Sequence, residues 1–206
     1  MKLQDLPPIL PVYAEMGTIL LPRAQLPLVL EGKEQKDLVE YALQDRHRLI
    51  GVIQPTPHGG HFQMGCVGRI IRFQEGEQFF IILSGLCRFK IKEVLEEDPI
   101  KKILVTYQGY EKDLETFSLD PFVNRPQLLS HLKGYLETQD IHANWDEIEH
   151  ASNELIISSL TMTCPFEPIE KQALLETTSL SERCDMMIAL MEMANPHLKT
   201  RSSILH

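Results

Sequence analysis

The sequence predicts an α+β protein, a β lobe followed by a helical lobe, and two patterns carry that prediction. Residues 64–92 hold three runs rich in β-branched and aromatic side chains, 67–73, 79–83 and 86–91, parted by Glu75-Gly76-Glu77 and by Ser84-Gly85. Beyond about Thr116 the apolar spacing changes from two to a helical three and four, which sets the expected boundary: a β lobe over 1–116 and a helical bundle over 117–206.

Within the β lobe, the first apolar runs carry Pro7, Pro8, Pro11, Pro22 and Pro27. Proline lacks a backbone donor, so these runs are expected as edge strands, strand ends or extended crossings. Leu38, Val39, Ala42 and Leu43 in a segment rich in charged residues predict a short amphipathic helix over 34–48. Leu49-Ile50-Gly51-Val52-Ile53 reads as a buried strand, ended by the Pro- and Gly-rich loop 54–60. In 86–91, Cys87, Phe89 and Ile91 alternate with Arg88, Lys90 and Lys92, which predicts a strand with one wet, cationic face. Phe79-Phe80-Ile81-Ile82-Leu83 does not alternate and is expected to be buried on both faces. Ile103, Val105 and Tyr107 mark one further strand.

In the helical lobe, Asn124 is placed to cap a helix bearing Leu128, Leu129, Leu132, Tyr135 and Leu136. Asn144 with Glu147 forms a capping-box pattern ahead of one helix carrying Ile148, Ala151, Leu155 and Met162, which Pro165 stops. Pro168 suits the first turn of 169–176, and Ser179 with Glu182 caps a last helix with Leu180, Cys184, Met187, Ile188 and Met191 on its apolar face. The connection 108–124 contains Phe117, Leu119, Phe122 and Val123, too many apolar side chains for a free linker, and is expected to pack.

Twenty Lys and Arg stand against 29 Asp and Glu, a formal charge of -9, so no diffuse basic field is available to attract phosphate backbones. Four separated cysteines fit reduced thiols better than a disulfide framework. With no charged-then-apolar leader and no apolar run long enough for a bilayer, the expectation is a soluble cytoplasmic protein without membrane contact.

The sequence offers no phosphate cradle of the G-x-x-x-x-G-K-[ST] kind, no G-x-G-x-x-G, no H-E-x-x-H and no nucleophile elbow. No catalytic, cofactor-binding or metal-binding residue is therefore assigned, and no cofactor is expected. His58, His61 and Cys66 are the only loose cluster that a metal-dependent hydrolase could use. Ser84 beside Gly85 reads as turn chemistry, and His131, His142 and His150 as surface histidines.

An ordered series of short motifs adds a resemblance. Leu10-Pro11-Val12-Tyr13, Leu20-Leu21-Pro22, Leu26-Pro27-Leu28, 49–55, Gly65-Cys66-Val67-Gly68-Arg69-Ile70, 83–91 and 165–176 together resemble the N-terminal substrate-binding domain of Lon proteases. That resemblance implies a PUA-like β pseudo-barrel lobe followed by an α-helical bundle lobe. It also implies a non-catalytic module that binds polypeptide segments or a protein partner, as an adaptor in protein quality control; a homodimer is a further expectation that does not rest on it. Where family members follow Leu-Pro-Leu with an aromatic, an acid, a proline and an Arg-Tyr pair, this chain has Val29-Leu30-Glu31-Gly32-Lys33-Glu34-Gln35, so contacts of those residues do not transfer. The ligand-binding residues stay unassigned, and a groove between the lobes is the expected place for them. The rival reading is RNA binding, since PUA-like barrels elsewhere bind RNA and Arg69, Arg72, Arg88, Lys90 and Lys92 could share a face; the acidic net charge opposes it.

Overall fold

The computed structural model describes residues 2–96, 100–115 and 122–194. The chain forms two compact units, one of Met1–Ser118 with Glu167–Leu175, the other of Leu119–Phe166 with Glu176–His206.

The first unit contains strands β1 (Ile9–Ala14), β2 (Gln25–Leu30), β3 (Leu49–Ile53), β4 (Met64–Gln74), β5 (Phe79–Glu96) and β6 (Lys102–Thr106), with helix α1 (Lys33–Gln44). The strand order is β2-β5-β4-β3-β1-β6, and β5 also pairs with β6, so five strands close on themselves and β2 is attached outside the ring. All pairings are antiparallel except β1 with β3. Closure is possible because β5 changes partner along its length: residues 79–84 pair with β2, and 90–96 pair with β6. Leu10, Leu30, Ile50, Ile81, Leu83 and Phe89 are fully buried inside, each contributing about 1.5–3 kcal/mol by leaving water.

Three expectations about the strands need correction. The runs 79–83 and 86–91 are one 18-residue strand, not two. Gly85 is not a turn residue: its N–H donates to Ala24 O at 2.9 Å, its carbonyl accepts from Arg23 N at 2.9 Å, and a Cβ there would collide with the Leu21 backbone oxygen. Glycine is required by close backbone approach inside a strand. Next, Phe79, Ile81 and Leu83 are buried but Phe80 and Ile82 are only half-buried, so this run alternates after all. Last, β1 is interior in the sheet order although it contains Pro11. Its first half, Ile9 to Pro11, pairs with β6, and its second half, Val12 to Ala14, pairs with β3. The missing proline donor therefore falls where only one neighbour is paired.

Helix α5 (Pro168–Glu176) follows the helical stretch in sequence, yet most of it belongs to the first unit. Buried side chains hold it there. Gln54 Nε2 donates to Pro168 O and Gln172 Oε1, Gln172 Nε2 donates to Met64 O at 3.0 Å, and Lys171 Nζ donates to Gly17 O. These side-chain amides add hydrogen bonds that tie α5 to the end of β3 and the start of β4.

The second unit holds α2 (Arg125–Thr138), α3 (Trp145–His150), α4 (Asn153–Thr163) and α6 (Leu180–Ala194). Asn124, Asn144 and Ser179 cap α2, α3 and α6, in each case accepting from a backbone N–H three residues on. The single helix expected from Asn144 to Pro165 is two. The backbone is extended at Ala151 and Ser152, and the Ser152 hydroxyl caps α4 by accepting from Leu155 N. Arg125 fills the break, donating from Nη1 to Ala151 O and Asn153 Oδ1 and from Nη2 to Ile148 O and Glu149 O, all within 2.9 Å. A serine that can serve as a cap, backed by a guanidinium for the freed carbonyls, outweighs continued apolar spacing.

His131 is buried rather than on the surface; its Nε2 lies 2.9 Å from Glu192 Oε1 and its Nδ1 2.8 Å from Gln127 O. Phe122 is 81% exposed and Val123 half-buried, while Phe117 and Leu119 lie outside the described residues.

Candidate interaction surface

The outer face of the β2-β5-β4 sheet follows from its register. Paired residues in an antiparallel sheet point to the same side. Val29 pairs with Phe80 and Pro27 with Ile82, and across β5 the same two residues meet Gln74 and Arg72 of β4. The alternate positions, Leu28, Leu30, Ile81 and Leu83, fill the barrel. Pro27, Val29, Phe80 and Ile82 therefore form an outward apolar block. Pro27 and Val29 are exposed, Val29 by 53%, and Phe80 and Ile82 half-buried. A register shift between Ile70 and Arg72 leaves Ile71 as the extra residue of a bulge, 49% exposed. Around the barrel end, Phe73 meets Phe79 edge-to-face at 5.2 Å and remains 37% exposed.

β2 pairs with β5 alone among the described strands, which leaves it at an open edge. It is six residues long and Pro27 removes one of its donors, the device by which natural sheets resist strand addition. The side-chain face, not the backbone edge, is what this part of the barrel offers.

At the end of β2, Glu15, Val29, Glu31, Lys33 and Glu34 line a cavity of about 550 Å³. A second cavity of about 310 Å³ shares Glu34 and Gln35 with it and reaches Leu38, Ile100 and Lys101. The Tyr13 hydroxyl beside them donates to Glu15 Oε2 at 2.7 Å, and burial together with that carboxylate pushes its pKa up, so it remains a donor.

The cationic stripe expected for RNA is interrupted. Arg88 is buried, its Nε and Nη2 each 2.9 Å from Asp113 oxygens, its own N–H donating to Asp113 Oδ2, and its Nη1 to Leu175 O at 3.3 Å. The 3₁₀ turn Glu111–Leu114 brings Asp113 over β5. Alternation in 86–91 predicts a wet Arg88 because strand periodicity cannot see what covers that face. Lys90 and Lys92 are exposed as expected, Arg72 is exposed, and Arg69 is half-buried.

The three candidates for hydrolase chemistry sit in unlike settings. Cys66 is wholly buried in β4 and desolvation drives its thiol pKa well up, the opposite of an activated thiolate. His58 is exposed in the loop, and His61 Nε2 lies 2.8 Å from Lys101 Nζ. Among the described residues no group of three or more His, Cys, Asp or Glu is placed to hold a metal ion, and no helix is long and apolar enough to cross a membrane.

Sequence reasoning missed the outward block because Phe80 and Ile82 are apolar and so look like core. The departure at 29–35 from the Lon pattern was visible, and those residues prove to border the larger cavity.

The architecture is that of an α+β domain built on a closed, mixed β pseudo-barrel with appended helices. The chain belongs to the ATP-dependent protease La (LON) substrate-binding domain family, which it matches over residues 9–193. It is 24% identical over 213 residues to Lon protease 2 of Myxococcus xanthus, covering 98% of this chain and 25% of that protein. It is 30% identical over 110 residues to the Lon protease of Syntrophus aciditrophicus, 48% of this chain and 14% of that one. The chain thus spans about a quarter, or less, of the length of these relatives. Its fold is similar to the N-terminal domain of a Mycobacterium avium complex Lon protease, with TM-score 0.66 and 16% identity, covering 89% of this chain and 98% of that one. The Lon N-terminal domain protein from Xanthomonas campestris superposes with TM-score 0.61 and 19% identity over 88% and 97% of the two chains.

Proposed function

We propose that this protein is a non-catalytic module that binds polypeptide, acting as an adaptor in protein quality control, and that the outer face of β2-β5-β4 is its binding surface. The observation that carries the reading is the apolar block of Pro27, Val29, Phe80 and Ile82, turned outward from a barrel whose core is complete without it. Outward-facing apolar side chains that keep part of their surface in water favour a partner that covers it. Membership of a substrate-binding family supplies the class of partner, a polypeptide. The shortened cationic stripe weakens the RNA alternative, because Arg88 is committed to Asp113.

The test is titration of a fluorescently labelled, permanently unfolded model chain, followed by anisotropy. The wild-type protein binds it, and Val29→Glu with Ile71→Glu, both at exposed positions that leave the core intact, weakens binding at least tenfold. Undiminished binding by the double variant, with unchanged circular dichroism, would refute the placement.

A further inference from the structure

Resting on that reading, we propose that the preferred occupant of the β2-β5-β4 face is an apolar segment carrying a lysine or arginine at the end that lies over the β4–β5 hairpin. At that end Leu30 pairs with Phe79, so the residues just beyond β2 and those of the hairpin crowd the same rim. They are strongly acidic: Glu31 after β2, Glu75 and Glu77 in the hairpin, and Glu34 in the first turn of α1, all exposed. Gln78 Nε2 donates to Glu31 Oε1 at 2.6 Å, which ties the hairpin to the β2–α1 connection. The nearby cations are Lys33 and Lys36. Lys36 is already engaged, its Nζ donating to Glu77 O at 2.9 Å and lying 5.2 Å from the Phe79 ring centroid. Four carboxylates against two ammonium groups leave this rim negative. The Glu31 carboxylate meets the neutral Gln78 amide, which leaves its charge uncompensated at that contact.

Carboxylates on their own would be an ordinary solvated rim. Here they border an apolar face, and a segment that covers the face must bring its flanking residue to them. A cation there gains several attractions at once and an acid is repelled, so charge selects among segments of equal apolarity. On the β4 side Arg72 stands opposite Ile82, which discourages a second cation and fixes the direction in which the segment lies.

The decisive experiment uses three labelled peptides with one apolar core and a terminal Lys-Lys, Ser-Ser or Glu-Glu pair, titrated against the intact protein. The Lys-Lys peptide should bind roughly three- to tenfold tighter than Ser-Ser, as a few exposed ion pairs allow. The advantage should shrink as salt rises from about 0.05 to about 0.5 M. Glu31→Gln with Glu75→Gln and Glu77→Gln should erase it while leaving the Ser-Ser peptide unaffected. Equal binding of Lys-Lys and Ser-Ser, or an advantage that survives the triple substitution, overturns the inference but not the binding face. Failure of all three peptides to bind overturns the proposed function itself.

Discussion

Replacing Asp113 by alanine leaves the Arg88 guanidinium buried without its counter-ion. The two side chains are 8% and 7% exposed, so solvent offers little screening. Asp113 accepts three hydrogen bonds from Arg88, all of which the substitution removes. The pair's own attraction, with the hydrogen bonds to Asp113, holds the Arg88 pKa up against the desolvation that would lower it. Removing one partner of such a pair costs about 3–5 kcal/mol, against a typical total of about 5–15 kcal/mol. With a urea slope of about 2 kcal/mol/M the midpoint should fall by about 1.5–2.5 M. The assay is urea unfolding by far-ultraviolet circular dichroism, with Trp145, the single tryptophan, reporting on the second unit. The double substitution Arg88→Met with Asp113→Leu should recover most of the loss, since no charge is stranded. A loss below about 1 kcal/mol for Asp113→Ala, or a double variant worse than the single, would refute the argument that this pair locks the 3₁₀ turn and α5 onto β5.

Gly85→Ala should destabilise the first unit by at least about 2 kcal/mol, because the methyl group meets backbone at Leu21 rather than a movable side chain; a melting temperature equal to wild type would contradict this. Cys66 and Cys87 should not react with a thiol reagent at pH 8 until the protein unfolds, since both are buried and burial pushes the Cys87 pKa to about 12; labelling of either in the native protein within seconds would disprove it. Glu182 accepts from Thr178 and from Ser179 N–H, which holds its pKa below the usual carboxylate range. A depressed folded value gives stability above the unfolded pKa that is lost as pH falls through the folded one. Glu182→Gln should accordingly destabilise at pH 7, with the gap to wild type closing in acid; a gap that stays constant with pH would exclude the capping carboxylate as its source.

Local signals in the sequence located most elements but not their neighbours. Asn124, Asn144 and Ser179 cap helices as their side chains dictate, because capping is decided within one turn. Ser84-Gly85 misleads, because the glycine answers to the Leu21 carbonyl some sixty positions earlier. Arg88 misleads likewise, since alternation places it on an outer face and only the fold brings Asp113 and Leu175 to cover it. The break between α3 and α4 depends on Arg125, distant in sequence, as much as on Ser152. At the candidate surface, Phe80 and Ile82 are indistinguishable from core by composition; only the register with Val29 and Pro27 shows that they share an outward face.

The central claim, that polypeptide is held on the outer face of β2-β5-β4, is tested most directly by photo-crosslinking. An unfolded model chain carrying a benzophenone side chain is irradiated with the intact protein, and the modified residues are mapped by mass spectrometry. Crosslinks concentrated at Pro27, Val29, Ile71, Phe80 and Ile82 are the predicted result, and crosslinks confined to α2, α4 and α6, or scattered evenly over both units, would contradict it.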